Sequence, residues 1–198
     1  KVAFHVDNGI KTPTAETQDV IRKAAAALTD AGVNVEEVRP TGIEESFSLA
    51  TAIYFADGGA AVRRLLRQWG TTENTLGGMT GAPPLSAEEL DALVDRWYSF
   101  RSRMSRFLLD YDAILCPVNA EPAMLHGSVE SAETFPAFSY TMTYNLTGWP
   151  GAVVRCGSSP EGLPIGAQVV ARPAREDVAL ALAKRLESAL GGYVPPEI

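Results

Sequence analysis

Residues Phe138 to Arg172 read FSYTMTYNLTGWPGAVVRCGSSPEGLPIGAQVVAR. Phe138 to Asn145 has the character of a short helix, Thr147 to Gly151 forms a Gly-Pro break, and two apolar runs follow. The first run, Ala152 to Cys156, is rich in β-branched residues, and the second, Ile165 to Ala171, is similar. Between them Gly157 to Gly162 has the composition of a hairpin loop. Apolar runs this short and nearly unbroken fit strands covered on both faces, so both are expected in the middle of a sheet, not at its edge.

Working outward, Arg175 to Leu190 places Val178, Leu182, Leu186 and Leu190 on one helical face, and Gly191-Gly192 stops it. On the other side, Asp112 to Val118 reads as a buried strand ended by Pro117. Ser86-Ala-Glu-Glu89 has the capping-box pattern at the head of a long amphipathic helix. Leu90, Leu93, Val94, Trp97, Met104, Phe107 and Leu108 mark its apolar face, which ends near Tyr111. Asn119 to Pro136 is irregular and holds His126.

Lys1 to Val6, Thr14 to Ala31 and Val33 to Val38 alternate strand, helix and strand, which predicts a right-handed βαβ unit with a parallel pair. The loop from Asp7 to Pro13 lacks glycine-rich phosphate-cradling spacing. Glu44 to Trp69 is helical with an interruption at Gly58-Gly59, where a kink or a change of helix is expected. Gly70 to Pro84 has loop composition and the length of a surface loop or flap. About five strands and five helices without repeats predict an α/β protein with a mixed sheet layered with helices.

The 198 residues, 46% hydrophobic and 21% charged, suit one sizeable globular core. A formal net charge of −7 argues against nucleic acid and anionic membrane surfaces as partners. Glu88, Glu89, Asp91 and Asp95 read as a solvated helix face. Cys116 and Cys156 lie in apolar runs and are read as buried reduced thiols. With no signal peptide or long apolar run, a cytoplasmic location is expected. The chain begins at Lys1 inside a strand, as a piece of a longer protein would.

No cofactor is expected, and two isolated His and two isolated Cys give no metal site. A Cys116–His126 nucleophilic pair is conceivable, but a thiol in Ala-Ile-Leu-Cys is expected to be buried and protonated. Ser158-Ser159 is flanked by strands rather than a helix start, so it reads as an exposed turn, not a nucleophile loop.

Three words occur in order: Asp112-Ala-Ile-Leu-Cys-Pro117, Tyr140-Thr-Met-Thr-Tyr-Asn-Leu-Thr-Gly-Trp-Pro150 and Gly162-Leu-Pro-Ile-Gly-Ala-Gln-Val-Val170. Together with the closing helix they resemble the C-terminal part of the amidase signature family, most clearly over Asp112 to Leu190. The resemblance implies one partial domain over 1–198, with a βαβ entry (1–40), a helical region (43–110) and closing strands and helix (111–198). It also implies amide hydrolysis by a Ser nucleophile, a second Ser at a cis peptide and a Lys base. Those residues belong to the family's N-terminal half, and the Gly/Ser-rich signature is absent from this sequence. No catalytic residue is therefore expected here, since binding alone does not accelerate a reaction.

The resemblance nominates Phe138, Met142, Asn145 and Trp149 as substrate-pocket residues, with core packing as the other reading of Phe138 and Met142. For Asn145 the favoured reading is that it caps or braces the break by hydrogen-bonding backbone, and Gly148 and Pro150 are read as shaping it. The implied partners are a small-molecule amide and either the N-terminal half or a second copy. Two rivals are a non-catalytic assembly subunit beside a separate catalytic chain, and an unrelated α/β hydrolase using Cys116 or a serine.

Overall fold

The computed structural model describes residues 1–72, 83–129 and 131–195. Strand β1 (Val2–Phe4), helix α1 (Ala15–Asp30) and strand β2 (Val35–Glu37) form the expected unit, with β1 and β2 parallel. Thr14 heads α1, its hydroxyl accepting from the Thr17 N–H.

The glycine interruption separates two helices, α2 (Ser46–Phe55) and α3 (Ala60–Gln68). Gly58 and Gly59 both take positive φ, 60° and 79°, which favours glycine. The Asp57 carboxylate accepts from the N–H groups of Gly59 and Ala61 and so supplies the acceptors that α3 needs at its start. Helix α4 (Ala87–Phe107) opens with the predicted capping box: Ser86 Oγ accepts from Glu89 N at 3.2 Å, and Glu89 Oε2 from Ser86 N at 2.8 Å. Ser86→Ala is expected to lower stability by about 1 kcal/mol, read as a reduced midpoint in denaturant. Of the Gly70 to Pro84 loop, residues 73–82 lie outside the described residues.

Strand β3 (Ala113–Pro117) is buried along its whole length. A 3-10 turn, Phe135–Phe138, leads into helix α5 (Ser139–Thr147), then β4 (Gly151–Ser158), β5 (Pro164–Ala171) and α6 (Glu176–Leu190). Among the described residues the helices number six, one more than expected, because the 44–69 segment divides. The sheet order is β2-β1-β3-β5-β4, with β1 parallel to β2 and β3, and β5 antiparallel to β3 and β4. The architecture is thus α/β with a mixed sheet.

Side-chain alternation along β3 divides the core. Ala113 and Leu115 face α1 and α6, beside Val20, Ile21, Leu28, Leu182 and Leu186. Ile114 and Cys116 face α2, α4 and α5, beside Leu49, Phe100, Met104, Met142 and Trp149. The 151–171 hairpin forms as read, but only β5 is interior. Among the described residues β4 ends the sheet, and Val153 is 59% exposed. Burial on both faces, inferred from β-branched composition, therefore fails for β4: Val153 stands exposed, and among the described residues no strand pairs with its outer edge.

Candidate functional site

Helix α5 is buried nearly all round, with Tyr140, Met142, Thr143, Tyr144, Leu146 and Thr147 inside. What it leaves accessible is one line: half-buried Phe138 and Thr141, then exposed Asn145 and Gly148. Their spacing of three or four residues places them on one side of the helix. Gly148 ends α5 in the left-handed conformation at φ 70°, its N–H donating to Tyr144 O. Two of the nominated residues, Phe138 and Asn145, lie on this line. Met142 and Trp149 instead pack in the core on the α2–α4 side, Trp149 beside Tyr144 at 6.5 Å between rings. Among the described residues Asn145 makes no side-chain hydrogen bond that would brace the break. The residue missed by the sequence reading is Thr141, whose hydroxyl bonds Phe138 O at 3.1 Å; its place at i+3 and i−4 from two nominated residues was the available signal.

The position of α5 is set by buried polar groups. The Gln168 amide, on β5, donates to Pro117 O at 2.7 Å and Tyr140 O at 3.0 Å, joining β3 to the first turn of α5. The Tyr140 hydroxyl donates to Lys11 O at 2.9 Å and accepts from Asn8 N at 3.2 Å. Asn8 Nδ2 donates to Ser139 Oγ at 2.8 Å, and Ser46 on α2 shares a 2.7 Å hydroxyl contact with Thr143. Trp97 on α4 donates to Leu146 O at 2.8 Å. In a low-dielectric interior such fully partnered groups specify one arrangement, because each lost bond strands a polar atom. Burial pushes the Tyr140 and Tyr144 phenols above their ordinary range, so both stay neutral.

None of the candidate nucleophiles is activated. Cys116 is fully buried, and loss of hydration pushes its thiol up to about 12; its Sγ lies 3.6 Å from the Tyr144 hydroxyl. His126 is exposed in the 119–134 loop, and no hydrogen bond joins it to Cys116 among the described residues. Cys156 is likewise buried, its thiol pushed up to about 11 by desolvation, and both cysteines are free. Ser158 accepts from Arg155 at 2.7 Å and Ser159 from Leu163 N at 3.3 Å, so both serve the hairpin. Ser159 is buried, unlike the exposed turn expected.

His5 stands out for another reason. Both its ring nitrogens are buried without a hydrogen-bond partner among the described residues, and its ring stacks on Tyr140. Desolvation lowers its pKa to about 4; the Arg39 charge adds to this and Asp7 partly opposes it. Sequence reading gave no sign of this. The described residues contain no group of three or more His, Cys, Asp or Glu placed to hold a metal ion. No described helix is long and apolar enough to cross a membrane.

The core is thus a mixed sheet with three helices on one face, with the α5 line ending at a Gly-Trp-Pro break and Gln168 held between sheet and helix. Residues 1–180 match the model of the Amidase family, and the chain belongs to that family. It is 38% identical over 128 residues to a glutamyl-tRNA(Gln) amidotransferase subunit of Dinoroseobacter shibae, covering 60% of this chain and 26% of that protein. The same subunit of Xanthobacter autotrophicus is 34% identical over 123 residues, 58% of this chain and 25% of that protein. Among solved structures, 6-aminohexanoate cyclic dimer hydrolase superposes with a TM-score of 0.80 at 23% identity, over 96% of this chain and 45% of that one. The corresponding amidotransferase subunit of Thermotoga maritima gives a TM-score of 0.75 at 21% identity, over 100% and 45%. These structures share the fold, and the chain spans less than half of each.

Proposed function

We propose that this chain is the C-terminal portion of an amidase, an enzyme hydrolysing a carboxylic amide to the acid and ammonia or an amine. The nucleophilic Ser, the second Ser and the Lys base belong, on this reading, to a part of the protein outside these residues. The chain contributes sheet core and one wall of the pocket for a small-molecule amide. Phe138 and Asn145 face that pocket along the open line of α5, with Met142 and Trp149 supporting them from the core. One observation carries the reading: the Amidase match spans 1–180, yet every candidate nucleophile within it is buried, protonated or engaged in a turn.

The test is intact-mass labelling with a fluorophosphonate serine-hydrolase probe, alongside ammonia release from aliphatic and aromatic amides. The 198-residue chain is expected to give neither adduct nor ammonia, and the product of the complete gene both. A stoichiometric adduct with turnover on the chain alone overturns the reading. Cys116→Ala in the complete protein is expected to keep its labelling rate within about twofold, as suits a buried neutral thiol.

A second reading follows from the relatives' being named subunits: a non-catalytic chain that assembles with a separate catalytic one. The reading frame upstream of Lys1 separates the two, since an in-frame Gly/Ser-rich signature there supports the first and a start codon at this position the second.

A further inference from the structure

We propose that the outer face of α4 docks against the same face of a second copy, the two helices running antiparallel about a two-fold axis between Tyr98 and Ser99. The inference is independent of the function proposed above. Leu93, Phe100 and Met104 turn one side of α4 into the core. The opposite side, at the same helical spacing, carries Glu88, Asp91, Asp95, Tyr98, Ser102 and Arg106, all exposed. The 21-residue helix is about 31 Å long, so this face is a continuous strip. Its charges are sorted: the acids lie at or before Asp95, and Arg96, Arg101, Arg103 and Arg106 follow. The helix dipole accounts for Glu88 and Glu89 in the first turn and Arg106 in the last, but its influence has faded at Asp91 and Asp95.

Within one helix this sorting is unfavourable. Asp91 and Asp95 are four residues apart, Arg103 and Arg106 three, and like charges at those spacings repel. Arg103 pairs with Glu45 at 2.7 Å, whereas among the described residues Asp91, Asp95 and Arg106 have no ion-pair partner. An antiparallel copy offsets the repulsion: the two-fold sets Asp91 opposite Arg106 and brings Asp95 opposite Ser102, beside Arg103 and one turn from Arg106. Shape agrees with charge. Tyr98 stands 56% exposed at the middle of the strip. It borders a hollow of about 510 Å³ that Ser99, Ser102, Arg103 and Arg106 also line. The phenol of each copy fills the hollow of the other, where its hydroxyl meets serine hydroxyls and guanidinium groups. A second copy is the occupant because acid and base, knob and hollow, follow one another along a single face in the order that a two-fold axis requires.

Sedimentation velocity on the product of the complete gene tests this. A dimer is expected, with a Kd that rises with salt. Asp91→Arg sets an arginine against Arg106, and Arg106→Asp sets a carboxylate against Asp91; each is expected to weaken the dimer at least about 10-fold. The double variant, Asp91→Arg with Arg106→Asp, exchanges the two charges and is expected to restore the parent Kd to within about threefold. Tyr98→Ala, which empties the hollow, should weaken it about 10-fold. All four variants should melt with the parent under dilute, monomeric conditions, since these side chains are exposed. A protein that stays monomeric up to about 100 μM overturns the proposal. So does a dimer that survives both single exchanges, which uses another surface, and so does a double variant as weak as the singles. Amidase activity does not enter the readout, so an inactive protein that dimerises in this way counts against the proposed function and leaves the α4 interface standing.

Discussion

Replacing Gln168 by Glu is expected to cost the chain more than about 3 kcal/mol at pH 7. The amide nitrogen now donates to two carbonyls, Pro117 O and Tyr140 O, inside a site where the residue is 5% exposed. A carboxylate of the same shape turns this donor into an acceptor facing acceptors, in a place without hydration. The group responds by holding a proton, so its folded-state pKa rises above the ordinary Glu value of about 4.3. A raised folded-state pKa means the folded form binds the proton more tightly. Stability is then lost as pH rises through that value and regained as pH falls below it. Denaturant titrations at pH 7 and pH 5 should show the deficit shrinking at the lower pH. Gln168→Leu is the control: it removes the two bonds without adding charge, costs about 2 kcal/mol and shows no such recovery. A Glu variant as stable as the parent at pH 7 would mean that Gln168 does not hold α5 to β3.

His5 produces the opposite pH response. Its neutral imidazole is buried against Tyr140, and its pKa falls from 6.5 to about 4 on folding. The unfolded chain therefore binds the extra proton first, and stability declines as pH falls below 6.5 until the folded pKa is reached. For this shift the loss is about 2 kcal/mol between pH 7 and pH 5 and about 3 kcal/mol by pH 4. The charged and titratable groups around it are Asp7, Arg39 and Tyr140. Burial holds the Tyr140 phenol neutral across this range, and the imidazole contributes the slope described. His5→Leu removes both unpartnered nitrogens and should flatten this part of the profile, so that parent and variant diverge on acidification. Parallel profiles for the two would show that the imidazole is not held neutral.

Capping, glycine breaks and periodicity were legible because they are local. Ser86 and Glu89 are three residues apart, Gly58 and Gly59 adjoin, and α6 repeats its apolar positions along one face. The family resemblance was also carried by contiguous words, and the Amidase match bears it out. The candidate site was legible only in part. Phe138 and Asn145 share the open line of α5, but Met142 and Trp149 could not be placed in the core from spacing alone, because α5 is apolar or small on nearly every side.

The sequence by itself determined which segments form helices and strands, that the first pair of strands runs parallel, and which family the chain resembles. Those outcomes depend on hydrogen bonds, turns and side-chain spacing within a few residues. Only the tertiary structure decided that β5 is interior while β4 ends the sheet, that Gln168 joins Pro117 to Tyr140 across 51 and 28 residues, and that His5 lies buried without a partner. Such facts depend on which surfaces meet, and burial and polar partnering across long sequence separations are properties of the packed chain that local spacing does not encode.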